Sequence, residues 1–310
     1  MKIAIIGTGG VGGYFGGRLA KAGNEVVFLA RGEHLQALQT TGLQVSSING
    51  DFKVDKVSAT DSIEAIGQVD LVMLCQKAWQ VKDIAPKLNS LLKEDTAVLT
   101  LQNGVTIGDE LKAYIPEKHI VLGLCKIISK IDAPGHITHF GVEPTIIFGE
   151  QDNSLTARVN AIYEAFEEAE IKSFISHDIQ ADLWKKFISI CISGLMAVTK
   201  LTYGGVVAHS TSRQLLVELF AEMYDLASKM GIALAPDFVE KTIAVIASFP
   251  YDSTTSMARD MWAGKPSELE YQNGAVVVLG EKYGMPVPVN RFIYYCLLPM
   301  EKQARKNAML

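Results

Sequence analysis

A buried-strand pattern that runs straight into a glycine comb constrains this chain more than any other feature. Lys2-Ile3-Ala4-Ile5-Ile6 is followed at once by Gly7-Thr8-Gly9-Gly10-Val11-Gly12, a G-x-G-x-x-G spacing. Each glycine has a separate task. Gly7 lets the chain turn tightly, Gly9 lets the backbone approach a pyrophosphate, and Gly12 lets the next helix pack close to the strand. The N–H groups opening that helix then point at the phosphates, with the helix dipole behind them. A glycine-rich turn without a ligand is the bland alternative. Context favours the dinucleotide site: a helix pattern (Tyr14, Phe15, Leu19, Ala20) ends at Gly23, and a second strand, Glu25 to Ala30, follows where a β-α-β unit places one.

The residue ending that second strand selects the cofactor. NAD-binding units usually carry Asp or Glu there, bonded to the ribose 2′-hydroxyl. Here Val26-Val27-Phe28-Leu29-Ala30 ends in Arg31, followed by Gly32. A carboxylate repels a 2′-phosphate, whereas a guanidinium binds it bidentately. The expectation is NADP(H), against a bland reading of Arg31 as a solvated strand-end arginine.

Composition sets outer bounds. The 310 residues suggest two domains, and 48% hydrophobic with 20% charged residues fits a soluble globular protein. A formal net charge of −5 argues against nucleic acid as the main partner. The apolar stretch Ile188 to Val198, broken by Ser189, Ser193 and Gly194, is too short to span a bilayer. Met1-Lys2 leads directly into a strand, without signal-peptide anatomy. Cys75, Cys125, Cys191 and Cys296 lie far apart in apolar surroundings, without metal-ligand spacing. They read as buried free thiols of a cytoplasmic protein.

The first half alternates strands (Lys2–Ile6, Glu25–Ala30, Leu43–Ser47, Asp70–Cys75, Ala97–Leu101) with helix patterns such as Val81–Leu92. That alternation predicts an α/β domain with a mostly parallel sheet. Ile120–Lys126, His136–Phe140 and Thr145–Phe148 read as antiparallel strands extending the same sheet, followed by a helix over Leu155–Ala169 and a strand over Lys172–Ile175. From about Ile179 helical periodicity dominates: Leu183–Leu201, Thr211–Lys229, Asp237–Ala247, Glu268–Tyr283 and Phe292–Gln303. The expected organisation is a Rossmann-type dinucleotide-binding domain over 1–177 and an all-helical domain over 178–310. Ligands are expected in a shared cleft at the carboxyl ends of the strands.

Several residues stand out in the remainder. Gln102-Asn103-Gly104 follows a strand and reads equally as an Asn-Gly turn or as an amide facing a ligand. Lys185 and Lys186 near a helix start read as a solvated face, although a lysine near a helix's positive end is less welcome. Ser256 and Ser267 read as helix caps, and Glu268 as a first-turn acid.

Taken in order, the G-x-G-x-x-G comb, Arg31, Gln76-Lys77-Ala78-Trp79-Gln80, Gln102-Asn103-Gly104, Leu183-Trp184-Lys185-Lys186, Ser256-Met257 and Glu268 resemble the ketopantoate reductase (2-dehydropantoate 2-reductase) family over nearly the full chain. The resemblance implies a C-terminal helical domain similar to that of 6-phosphogluconate dehydrogenase and NADPH-dependent reduction of a 2-oxo acid, with ketopantoate as default substrate. It places cofactor contacts on Gly7, Gly9, Gly12, Arg31, Lys77, Asn103 and Glu268. Lys186 becomes the proton donor to the developing alkoxide, supported by Glu268, with Asn103 orienting ring and substrate and Ser256 binding the substrate carboxylate.

The pattern also departs from the family. Many members carry asparagines four and eight residues after the catalytic lysine, where this chain has Ile190 and Gly194. Both are expected on the lysine's side of the helix, giving a less polar, roomier substrate wall. Ser193 either replaces a lost polar contact or bonds its own helix carbonyl. This leaves open a more hydrophobic 2-oxo or 2-hydroxy acid, and, from another class, a non-catalytic NADPH sensor. The apolar runs Ala275–Leu279 and Tyr294–Leu298 are compatible with burial in a monomer or across a homodimer.

Overall fold

A computed structural model describes residues 1–308. Its contacts divide the chain into two compact units, Met1–Gln102 with Ile107–Ile179, and Asn103–Thr106 with the chain from Gln180 onward.

The first unit holds twelve strands: β1 (Lys2–Ile6), β2 (Glu25–Leu29), β3 (Leu43–Ser47), β4 (Phe52–Val54), β5 (Ser58–Thr60), β6 (Leu71–Leu74), β7 (Ala97–Thr100), β8 (Ile120–Lys126), β9 (Ser129–Ala133), β10 (His136–His139), β11 (Thr145–Gly149) and β12 (Lys172–Ile175). Eight form one sheet in the order β12-β11-β8-β7-β6-β1-β2-β5. From β8 to β5 every pairing is parallel, and β11 meets β8 antiparallel. Apart from Lys2 at the start of β1 and Thr100 at the end of β7, the central strands are apolar because both faces are covered, so alternation disappears and only a buried run remains.

Two expectations change here. β3 and β10 do not extend the main sheet; they pair with each other in parallel within a second sheet, β4-β3-β10-β9. The helix Gly10–Lys21 explains why. A Cβ at Gly16 would meet Phe28 and Ile5 of the main sheet, whereas one at Gly13 or Gly17 would meet Ile137, Leu43 or Phe52 of the second. The helix is packed closely on two sides, and its small residues permit both contacts. The expected helix Val81–Leu92 is helical only over Val81–Ile84 and continues as a 3₁₀ segment, Ala85–Leu91, where Pro86 has no N–H to give.

The second unit is helical, with helices Ile179–Ile190, Ile192–Thr199, Tyr203–Ala208, Ser210–Lys229, Phe238–Ala247, Ser256–Trp262, Asn273–Tyr283 and Pro288–Ala308. Its core is formed by Trp184, Phe187, Ile188, Leu219, Phe220, Met223 and their neighbours. The single helix expected over Leu183–Leu201 is broken at Cys191. The Cys191 carbonyl accepts the Asn273 side-chain amide at 3.2 Å, and insertion of a side chain into the hydrogen-bond ladder is a recognised cause of kinks. Asn273 and Asn290 are fully buried. Asn273 also donates to Asn290 at 3.1 Å, and Asn290 donates to Glu222 at 2.8 Å. Among the described residues, no helix is long and apolar enough to cross a membrane.

The cysteine expectation holds for Cys125 and Cys191, which are buried, while Cys75 is partly buried. Burial pushes the Cys75 and Cys191 thiols well above their ordinary range, so they stay neutral. Cys296 is exposed instead. It lies on the outer face of helix Pro288–Ala308, beside exposed Phe292 and Tyr295.

Candidate functional site

The glycine comb makes the tight turn from β1 into helix Gly10–Lys21 that its spacing predicts. Gly7 has φ +98°, and a Cβ there would strike the Gln76 backbone at 2.6 Å. A Cβ on Gly12 would strike the Gly7 carbonyl at 2.2 Å and Ile5 at 2.8 Å, so the helix can approach β1 only without one. Gly9, directly before that helix, differs. No atom lies within 4 Å of the position its Cβ would take, and no side chain caps the helix start. Open space over uncapped N–H groups, without an acidic residue in the first turn, fits a dinucleotide pyrophosphate.

Arg31 ends this arc. It is exposed and precedes helix Gly32–Thr41, after β2. It forms no ion pair among the described residues, so its guanidinium donors face water. Lys77 follows β6 and opens a 3₁₀ turn in which its own N–H donates to the Gln80 side chain at 3.2 Å. Its ammonium lies 5.7 Å from the Trp79 ring centre. All these residues belong to the first unit, at or after the carboxyl ends of its parallel strands.

A cavity of about 870 Å³ elsewhere in the first unit is lined by Glu94, Asp95, Lys118, Glu150 and Arg158. It lies by the amino ends of β7 and β8, whereas doubly wound sheets bind ligands at the carboxyl ends. Its Arg158 and Glu150 are already paired at 2.6 Å. We assign it no part in the site.

The second unit brings together Asn103 and Glu268. The Asn103 amide donates to the Glu268 carboxylate at 2.9 Å, and Glu268 is 4% exposed. Asn103 joins this unit because the next residue permits it. Gly104 has φ +108°, and a Cβ there would meet the Tyr271 carbonyl at 2.8 Å. The Asn-Gly pair is therefore both a turn and the presenter of an amide. Glu268 is not in the first turn of an α-helix as expected; it precedes the 3₁₀ turn Leu269–Tyr271, and the helix begins at Asn273.

Lys186 lies on helix Ile179–Ile190 and is half-buried, as is Ile190 one turn later. Four residues apart, they share a helix face. Their neighbours Trp184, Phe187 and Ile188 point into the core instead. Ser256 is exposed and begins helix Ser256–Trp262, but it is not the cap. Thr255 is, accepting the Ala258 N–H at 3.2 Å, which leaves Ser256 outside the capping bond.

Beyond Ile190 the structure decides between the two readings of Ser193 and changes the expectation for Gly194. Ser193 is 1% exposed, and its hydroxyl donates to the Ile190 carbonyl at 2.5 Å, so its polar group is consumed within the helix. Gly194 does not leave room. A Cβ there would lie 2.2 Å from Asn273 Oδ1 and 2.6 Å from Ile293, so these side chains fill the space. The break at Cys191 also removes the regular register that would carry both residues up the face of Lys186.

Family models place the same assignment on both units. The ketopantoate reductase PanE/ApbA model matches residues 3–153, and its C-terminal counterpart matches residues 178–301. A 2-dehydropantoate 2-reductase of Nostoc sp. is 29% identical over 99% of this chain and 98% of its own length. A solved PanE/ApbA family ketopantoate reductase from Ralstonia eutropha JMP134 is 32% identical, with a TM-score of 0.90 over 98% of this chain and all of its own. A solved D-mandelate dehydrogenase, in ternary complex with NADH and anilino(oxo)acetate, is 26% identical, with a TM-score of 0.87 over 98% of this chain and 99% of its own.

Proposed function

The chain belongs to the ketopantoate reductase PanE/ApbA family of oxidoreductases, and on that premise we propose that it reduces a 2-oxo acid to a 2-hydroxy acid with NADPH, ketopantoate being the default substrate. The observation that carries this reading is the bond from half-buried Asn103 to buried Glu268, in the same unit as the half-buried Lys186. A polar pair of this kind is costly to bury, and it serves chemistry that needs a fixed carboxylate and a fixed amide.

When bound, the reduced nicotinamide supplies a hydride to the carbonyl carbon. The chain's own residues do the rest. Lys186 donates a proton to the carbonyl oxygen as negative charge develops there, so the C=O becomes CH–OH with one hydride and one proton added. Glu268 keeps a cation favoured in its surroundings and accepts hydroxyl donors. Asn103, held by Glu268, presents its amide oxygen and its remaining N–H. Ser256 offers an exposed hydroxyl to the substrate carboxylate. Gly7, Gly9 and Gly12 cradle the pyrophosphate, Arg31 takes the 2′-phosphate, and Lys77 contacts the nucleotide.

A second reading concerns substrate size. Ile190 is half-buried one turn from Lys186, and an apolar wall favours a more hydrophobic 2-oxo acid than ketopantoate. The likeness to a D-mandelate dehydrogenase supports this alternative. Following NADPH absorbance across 2-oxo acids from ketopantoate to aryl-substituted ones separates the two by kcat/KM. In the same assay, Lys186→Ala is expected to lower kcat by about 10²-fold or more with little change in NADPH affinity. Absence of turnover with every 2-oxo acid, together with intact NADPH binding, would make the protein a cofactor sensor instead.

A further inference from the structure

A carboxylate outside the proposed chemistry holds the residue next to Glu268. Glu301, on helix Pro288–Ala308, is 1% exposed, and Ser267 is fully buried. Glu301 accepts the Ser267 backbone N–H on its two oxygens, at 3.1 and 3.0 Å, and the Ser267 hydroxyl at 2.5 Å. Arg305, one turn later, pairs with Glu301 at 2.7 Å and donates to the Ser267 carbonyl at 3.0 Å. Ser267 Oγ in turn accepts the Leu269 N–H at 3.2 Å. Every polar group of Ser267 is engaged, and the bonds straddle residue 268 on both sides.

Burying a carboxylate is costly, and an apolar contact would join helix to loop without that penalty. An apolar contact has no direction, however. Bonds to the N–H, O–H and C=O of one residue set the orientation of its peptide planes, and so the direction in which the next side chain leaves the backbone.

We infer that Glu301, braced by Arg305, is a positioning residue that acts through Ser267 to aim the Glu268 carboxylate at Asn103. The inference rests on the reading that Glu268 serves the reductase site. A misplacement of the order of 1 Å at a reacting centre can lower the rate about a hundredfold, so even partial loosening is measurable.

The test is a double-mutant cycle. E301Q and S267A are each made in the wild-type and E268Q backgrounds, and kcat/KM for NADPH-dependent 2-oxo acid reduction is measured beside the thermal midpoint. Each is expected to lower kcat/KM about tenfold or more in the wild-type background and less than about twofold in E268Q, while lowering the midpoint equally in both. Equal fold-losses in the two backgrounds would overturn the inference and leave Glu301 a purely structural residue. S267A, which spares the buried carboxylate, decides the matter if E301Q does not fold. If E268Q alone leaves kcat/KM unchanged, the reading of Glu268 fails first and the inference with it.

Discussion

Asn103 and Glu268, 165 residues apart in the chain, are joined by a 2.9 Å hydrogen bond. The donor comes from a four-residue excursion that leaves the first unit and packs with the second. The acceptor is a carboxylate almost without solvent. Substituting Asn103→Ala removes that donor from a buried charged group, and the expected stability loss is about 1–3 kcal/mol, read by urea unfolding. An unchanged urea midpoint would show that the two side chains are not in contact.

Arg31 stands exposed at the end of β2, where a 2′-phosphate is the expected partner. Loss of a charge-assisted contact to that phosphate is worth about 1.4–2.8 kcal/mol, or ten- to a hundredfold in affinity. Arg31→Ala is expected to raise the NADPH Kd by that factor and to change the NADH Kd less than about twofold, as measured by fluorescence titration. Equal losses for the two cofactors would remove Arg31 from the phosphate site.

Gly194 and Asn273 occupy one space. Gly194→Ala places a methyl 2.2 Å from Asn273 Oδ1, and overpacking of this kind costs about 1–3 kcal/mol. Asn273→Ala is destabilising on its own, since it removes donors to the Cys191 and Asn290 oxygens. Combined, the two changes are expected to cost less than their sum by about 1 kcal/mol, because the alanine at 273 vacates the contested volume. Simple additivity in chemical denaturation would show that Asn273 does not fill the Gly194 position.

Asp70 gives the fold a dependence on acid. Its carboxylate binds the Lys93 ammonium and accepts the Lys2 N–H at 2.7 Å. The Lys93 hydrogen bond, chiefly, holds it below the ordinary value of 3.8. Its folded pKa lies below its unfolded one, so its contribution is present above that ordinary value and disappears as pH falls through the depressed folded value. Asp70→Asn is expected to cost about 0.5–1 kcal/mol near neutrality, the pair being part-exposed and screened, and progressively less as pH falls below 3.8. Denaturant midpoints followed into the acid range check this, and a cost independent of pH would exclude the carboxylate's charge as the cause.

Much of the first unit was legible because its signals are local. A glycine's freedom at φ +98°, an apolar run four residues long and a helix between two strands are properties of adjacent residues. The sequence shows β3 and β10 as strands but not that they form a second sheet, since a strand's own residues do not name its neighbour. The helix break at Cys191 was invisible for the same reason: periodicity runs unbroken across it, and its cause is an amide 82 residues later. Ser256 and Thr255 both suit a helix start, and only the hydrogen bond to Ala258 chooses between them.

By itself the sequence determined a parallel nucleotide-binding sheet, a helical second half and the residue types a reductase needs, because spacing and polarity along the chain encode backbone conformation. Tertiary structure alone decided that Glu268 meets Asn103, that Glu301 grips Ser267 and that Asn273 fills the place beside Gly194. Those outcomes depend on packing among segments distant in the chain, where volume and hydrogen-bond direction are settled only once the core has closed.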